Sequence, residues 1–246
     1  MNTVILTSSL NLYDKDENGN RIAHAFPNEN GILDLLKNEI KKYDNFLFIA
    51  SDEYNTISTD MYSSVTIESF KLTLPFKKYN ILDYRTKNKA KELIKNADLI
   101  YLCGGHLPTQ NKFFNNINLK ELLKGTNAVI VGGSAGSMNC ASSVYCPPEL
   151  DGESLDPNFN RFLNGLSLTN INILPHYSDF CEFILDGKDY IKDIILPDSF
   201  KTKILAINDG SYVLIKNGES SLWGEGYILK NGKITKICEN NQNINL

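Results

Sequence analysis

Ser134 stands within Gly132-Gly133-Ser134-Ala135-Gly136, directly after the apolar run Val129-Ile130-Val131. A serine on a sharp turn between a strand and a helix exposes its hydroxyl, and its neighbours must be small because a Cβ there would meet the backbone. The chemistry that follows is acyl transfer with Ser134 as nucleophile. If Ser134 opens a helix, the Ala135 N–H and the helix dipole are placed to stabilise the oxyanion of a tetrahedral intermediate. Gly104-Gly105 ends a second apolar run, Leu99–Leu102, and lets another backbone N–H approach a carbonyl, so Gly105 is assigned as the second donor. The alternative for Ser134's run is a close-packed turn or an anion-binding one.

The chain holds three histidines, so the choice of base is short. His24 lies in a polar stretch and His106 follows the glycine pair. His176 follows the apolar run Ile171–Leu174, where a strand end gives rigid support, and imidazole has the pKa to take a serine proton and return it to an amine. His176 is the expected base, and His106, with Gln110, is expected to line the substrate pocket. Asp209, after the strand-like run Lys203–Ile207, is the expected carboxylate that orients His176; the competing reading is an ordinary Asp-Gly turn. Glu149 and Asp151 compete for the same role, or else bind a substrate ammonium.

These residues need a scaffold that brings distant segments together. Val4–Thr7, Phe46–Ala50, Ile81–Tyr84, Leu99–Leu102 and Val129–Val131 read as buried strands. Helical apolar stripes alternate with them: Ile32 to Tyr43, a helix capped by Thr59 or Asp60 and running to Leu72, Ala90 to Ala97, and Phe113 to Leu123. Alternation of this kind predicts an α/β fold, a three-layer sandwich with a mainly parallel central sheet flanked by helices. Asn11–Asn30 reads as a polar loop and Cys146–Pro157 as an active-site loop, its prolines breaking any helix. The last third is more antiparallel, with a hairpin from Tyr227 to Ile237 turning at Asn231-Gly232 and a frayed tail from Asn240 to Leu246.

Cys-Gly-Gly-His-Leu-Pro-Thr-Gln-Asn at 103–111, Gly-Gly-Ser-Ala-Gly at 132–136, Leu-Pro-His-Tyr at 174–177 and Trp-Gly-Glu-Gly-Tyr at 223–227 resemble, in order, the peptidase E and cyanophycinase family of serine peptidases. The resemblance implies a sheet related to class I glutamine amidotransferases, with serine in place of their cysteine, and it too puts the base at His176. Peptidase E carries glutamate where this chain has Asp209, so His176 must sit closer here. That enzyme's preference for an amino-terminal aspartate implies an arginine after His176. This chain offers only Lys188 and Lys192 there, which read as a solvated helix face, and its three arginines are Arg21, Arg85 and Arg161.

The remaining features set limits. With 246 residues, 42% hydrophobic and 22% charged, the chain can bury the core of one domain, 1–246, without staples. A net charge of −4 gives no reason to expect nucleic acid, and no stretch approaches the length of a membrane span. Five scattered cysteines fit a reducing compartment, and an amino terminus without basic and long apolar regions makes the cytoplasm the expected location. The glycine runs match no phosphate-binding fingerprint, so neither cofactor nor metal is expected. The expected function is a serine hydrolase cleaving a peptide or isopeptide bond in a small peptide. The alternatives are an amidotransferase-like glutaminase, for which Cys140 lies too far along the chain, and a binding protein of the same fold.

Overall fold

A computed structural model describes residues 3–246 of the chain. Five strands, β1 (Val4–Thr7), β2 (Asn45–Ile49), β3 (Lys78–Leu82), β4 (Leu99–Leu102) and β5 (Val129–Gly133), run parallel. The other strands of the two main sheets are, in chain order, β6 (Asn172–Leu174), β7 (Ile204–Ile207), β8 (Tyr212–Lys216), β9 (Glu219–Trp223), β10 (Gly226–Lys230), β11 (Lys233–Cys238) and β12 (Asn243–Asn245). The large sheet has the order β12-β9-β8-β1-β5-β4-β2-β3, its β8, β9 and β12 antiparallel. A smaller sheet has the order β6-β7-β10-β11, with β6 and β7 parallel.

The inner parallel strands are apolar on both faces because helices cover one and helices with the smaller sheet cover the other. Phe46, Phe48, Leu99, Tyr101, Val129 and Val131 point to one side, against Leu36 of α1 (Ile32–Glu39) and Phe70 of α2 (Thr56–Thr73). Their neighbours Leu47, Ile49, Ile100, Leu102 and Ile130 point to the other. There they meet Ile94 of α3 (Ala90–Asn96), Phe113 and Phe114 of α4 (Leu107–Asn116), Leu123 of α5 (Leu119–Leu123), and Leu205 and Ile207 of the smaller sheet. Each large side chain so buried contributes roughly 1.5–3 kcal/mol, enough in sum to fix the register of strands only four or five residues long.

Several elements differ from expectation for local reasons. Helix α2 begins earlier than Thr59, because the Asn55 side chain accepts from the Ser58 N–H at 3.1 Å and caps it. The stripe from Ile32 stops being helical after Glu39, where Ile40 turns extended. The stripe from Phe113 to Leu123 is two helices, since Asn118 adopts φ +53° between them. The supposed polar loop contains a hairpin, Tyr13–Lys15 with Arg21–Ala23. The tail is not frayed: Asn243–Asn245 pairs with Ser221–Trp223. Lys188 begins a two-residue strand and Lys192 ion-pairs with Asp189, so the two do not share a helix face. Among the described residues no helix is long and apolar enough to cross a membrane.

Candidate active site

The site forms where the carboxyl ends of the two sheets meet. Ser134 follows β5 of the large sheet, while His176 follows β6 and Asp209 follows β7, neighbours in the small one. Ser134 holds φ +51° and ψ −120°, a conformation that costs a non-glycine residue about 1–3 kcal/mol. The surroundings over-determine it. Its N–H is shared between the carbonyls of Thr7 and Ser8, and its carbonyl accepts from Ser137 and Met138 in the short helix α6 (Ala135–Met138). A Cβ on Gly132 would come within 2.7 Å of the Ser137 nitrogen, and one on Gly136 within 2.2 Å of the Leu102 carbonyl oxygen. The glycines therefore let α6 pack directly on strands β4 and β5, and that packing holds the serine up.

His176 Nε2 lies 3.0 Å from Ser134 Oγ, and His176 Nδ1 lies 2.8 Å from Asp209 Oδ1. An ionised carboxylate can only accept, so the ring proton sits on Nδ1 and Nε2 is left to accept from the serine hydroxyl. Burial works to lower the His176 pKa, but the hydrogen bond and charge of Asp209 outweigh it and raise it above the ordinary value. Burial works to raise Asp209, and His176 and Ser8 together hold it below the usual carboxylate range. Asp209 is the carboxylate in contact with the imidazole, and Glu149 and Asp151 do not touch it. His176 itself has φ +54°, a left-handed turn that swings its ring from the strand end toward Ser134.

The backbone N–H groups of Gly105 and Ala135 have no acceptor among the described residues; Ala135 follows Ser134 directly, and Gly105 lines the same recess as Ser134. Gly104 packs beside the nucleophile, since a Cβ there would lie 3.2 Å from Ser134 Cβ, and a Cβ on Gly105 would strike Ser51 Oγ at 2.4 Å. Both glycines are needed for the close approach. Gln110 is fully buried: its amide donates to the Cys103 carbonyl at 2.6 Å and accepts from Asn139 at 3.0 Å. It supports the glycine turn from behind and does not face a substrate, contrary to the expectation from its place in the motif. His106 is held between Thr109 Oγ1 at 2.8 Å and Glu153 Oε1 at 2.9 Å.

The loop after α6 brings Glu149 close enough to feel the His176 charge, with the Leu107 N–H at 3.4 Å from its carboxylate. Burial, with Glu153 nearby, pushes its carboxyl up to about 7. Asp151, on the same loop, is exposed. Cys140 is buried, its thiol raised by burial and donating to the Gly136 carbonyl, well away from the position of a nucleophile. All five cysteines are free, and among the described residues no His, Cys, Asp and Glu side chains cluster to hold a metal ion.

Two contributors were not foreseen. Ser8, after β1, donates to Asp209 Oδ1 and accepts from the His176 backbone N–H; a lone serine after a strand carries no local signal. Glu153 ties His106 to the loop backbone through the N–H groups of Glu149 and Leu150; its partner is 47 residues away, which no spacing reveals.

Solved structures share this architecture at low identity. A peptidase from an acI-B1 Actinobacterium superposes with a TM-score of 0.70 at 16% identity, covering 100% of this chain and 97% of the other. A putative peptidase E protein from Listeria monocytogenes EGD-e superposes with a TM-score of 0.60 at 14% identity, covering 97% of this chain and 100% of the other. No curated protein matches the chain in sequence. The sequence model of peptidase family S51 matches residues 20–223, a span holding Ser134, His176 and Asp209, and the chain accordingly belongs to that family of serine-type peptidases.

Proposed function

We propose that the protein hydrolyses a small peptide carrying a free amino terminus through an acyl-enzyme on Ser134. The observation that carries this reading is the continuous chain Ser134 Oγ, His176 Nε2, His176 Nδ1 and Asp209 Oδ1, with contacts of 3.0 and 2.8 Å. Ser134 Oγ attacks the scissile carbonyl carbon as its proton passes to His176 Nε2, and the N–H groups of Gly105 and Ala135 take the oxyanion. The C–N bond then breaks and His176 returns the proton to the departing amine. Water, deprotonated by His176, releases the acid and restores the serine. Asp209 keeps Nδ1 protonated throughout and stabilises the imidazolium.

Glu149 is the group suited to the substrate ammonium. It is a poorly solvated carboxylate near the base, and a cation beside it would restore its charge. His106, fixed by Glu153, follows the Gly104-Gly105 turn directly.

The test is turnover of a dipeptide and isodipeptide panel together with fluorophosphonate labelling, on the parent protein and on Ser134→Ala. Labelling of the parent at Ser134, with both labelling and turnover lost in the variant, is the expected result. Turnover retained by Ser134→Ala would overturn it.

A further inference from the structure

Ser134 opens on one side into a recess whose walls the proposed chemistry does not use. It encloses about 230 Å³ between β2, β4 and α2, and its far walls are Leu12, Tyr13, Phe48, Tyr62, Thr66 and Tyr101. The Tyr101 hydroxyl reaches the turn itself, 2.7 Å from where a Cβ on Gly133 would stand. Apart from His176 at the mouth, no residue lining the recess carries a charged side chain. Cys103 lies at its base, and burial pushes that thiol up to about 12, so it stays neutral as well.

No lysine and none of the chain's three arginines lines the recess. Arg85 is held by Asp60 and Asp83, and Arg161 by Asp198. Arg21 lies behind the wall, its guanidinium 4.3 Å from the Tyr62 ring centroid and 5.2 Å from that of Tyr13, donating to the Tyr62 hydroxyl at 2.6 Å. It braces two aromatic walls and is not among the residues lining the recess. A carboxylate entering the recess would lose water with no cation to replace it, whereas a flat apolar ring would gain burial and ring contacts.

We propose that this recess selects peptides whose acyl residue, the one esterified to Ser134, bears a large uncharged side chain, aromatic above all, and that it rejects aspartate. The assignment rests on the acyl-enzyme reading for which residue enters, but binding tests it without turnover. Phe-Ala, Tyr-Ala, Asp-Ala and Gly-Ala are titrated calorimetrically into Ser134→Ala, and the same peptides are assayed for kcat/KM with the parent. Phe-Ala and Tyr-Ala are expected to bind at least tenfold more tightly than Asp-Ala or Gly-Ala, with kcat/KM in the same order. Thr66→Lys, which puts a cation into the wall, is expected to move the Asp-Ala to Phe-Ala ratio of kcat/KM at least tenfold toward Asp-Ala, with fluorophosphonate labelling reporting that Ser134 is intact.

Asp-Ala or Gly-Ala binding as tightly as Phe-Ala to Ser134→Ala would overturn the proposal, as would an unchanged ratio in a labelled Thr66→Lys protein. If Thr66→Lys does not label, the titrations decide alone. Aromatic-selective binding by Ser134→Ala, alongside a parent that neither labels nor turns over, would instead sink the acyl-enzyme reading and leave the recess standing.

Discussion

The backbone N–H of His176 donates to Ser8 Oγ at 2.7 Å, and the same hydroxyl donates in turn to Asp209 Oδ1. Ser8 follows β1 of the large sheet, which also carries Ser134 at the end of β5, while His176 and Asp209 follow strands of the small one. One buried hydroxyl thus fixes the imidazole and its carboxylate to the sheet that supports the nucleophile.

Ser8→Ala removes both contacts. A hydrogen bond to a charged group is worth about 1.5–3 kcal/mol, so kcat/KM is expected to fall by roughly one to two orders of magnitude. The pH profile separates positioning from general damage. Without the Ser8 donor, more of the Asp209 charge acts on the ring, the His176 pKa rises, and the acid limb of kcat/KM moves to higher pH. A lower plateau with an unmoved limb would show that Ser8 only supports the fold.

The base must be neutral to accept the serine proton, and Asp209 raises the His176 pKa above its ordinary 6.5. Activity should therefore rise with pH through a limb lying above 6.5 and then level off. Asp209→Asn removes the opposing charge and leaves burial to dominate, so the limb should move to lower pH while kcat falls by about 10³–10⁴-fold. The direction is opposite to that expected for Ser8→Ala, and stopped-time assays from pH 5 to 9 on the three proteins check both signs.

Glu149, pushed up to about 7, must be ionised to hold an ammonium, so it adds a second proton to the same acid limb. With the parent protein, log kcat/KM for a free-amino dipeptide should fall with a slope approaching two below the limb. In Glu149→Gln the slope should be one, with KM raised by at least about tenfold, the value of one charge-assisted contact. An N-acetylated peptide, which has no ammonium, should be handled equally by both proteins on the plateau above the limb, where His176 is neutral in each. Equal losses on both peptides would remove Glu149 from the binding role.

Much of this site was legible because its signals are local. The glycines around Ser134 announce a turn on which α6 packs without side chains between, and the runs ahead of Ser134, His176 and Asp209 each place a residue at a strand's carboxyl end. The hidden parts are those set by packing across long separations. Gln110 carries the polarity of a binding residue, yet the fold spends its amide on Cys103 and Asn139. Ser8 reaches Asp209 across 201 positions. Tyr13 lies on a hairpin that its polar sequence disguised as a loop, because the pairing of Tyr13–Lys15 with Arg21–Ala23 depends on docking against α2 rather than on alternation of apolar residues.

The closest packing in the site gives the last prediction. A Cβ on Gly136 would lie 2.2 Å from the Leu102 carbonyl oxygen and 2.7 Å from its carbon, and both are backbone atoms at the end of β4, which cannot swing aside as a side chain would. Overpacking a core costs typically about 1–3 kcal/mol, and contact with rigid backbone puts Gly136→Ala at or beyond the upper end. Relief requires α6 to lift from β4, which carries Ser134 away from His176 and opens their 3.0 Å contact. Gly136→Ala should therefore lower the denaturant midpoint and also slow fluorophosphonate labelling under conditions where the protein remains folded. Gly125→Ala, where a Cβ meets nothing within 4 Å, is the matched control and should leave both unchanged. A Gly136→Ala protein with the parent's midpoint would mean that α6 does not rest on β4 as closely as this geometry requires.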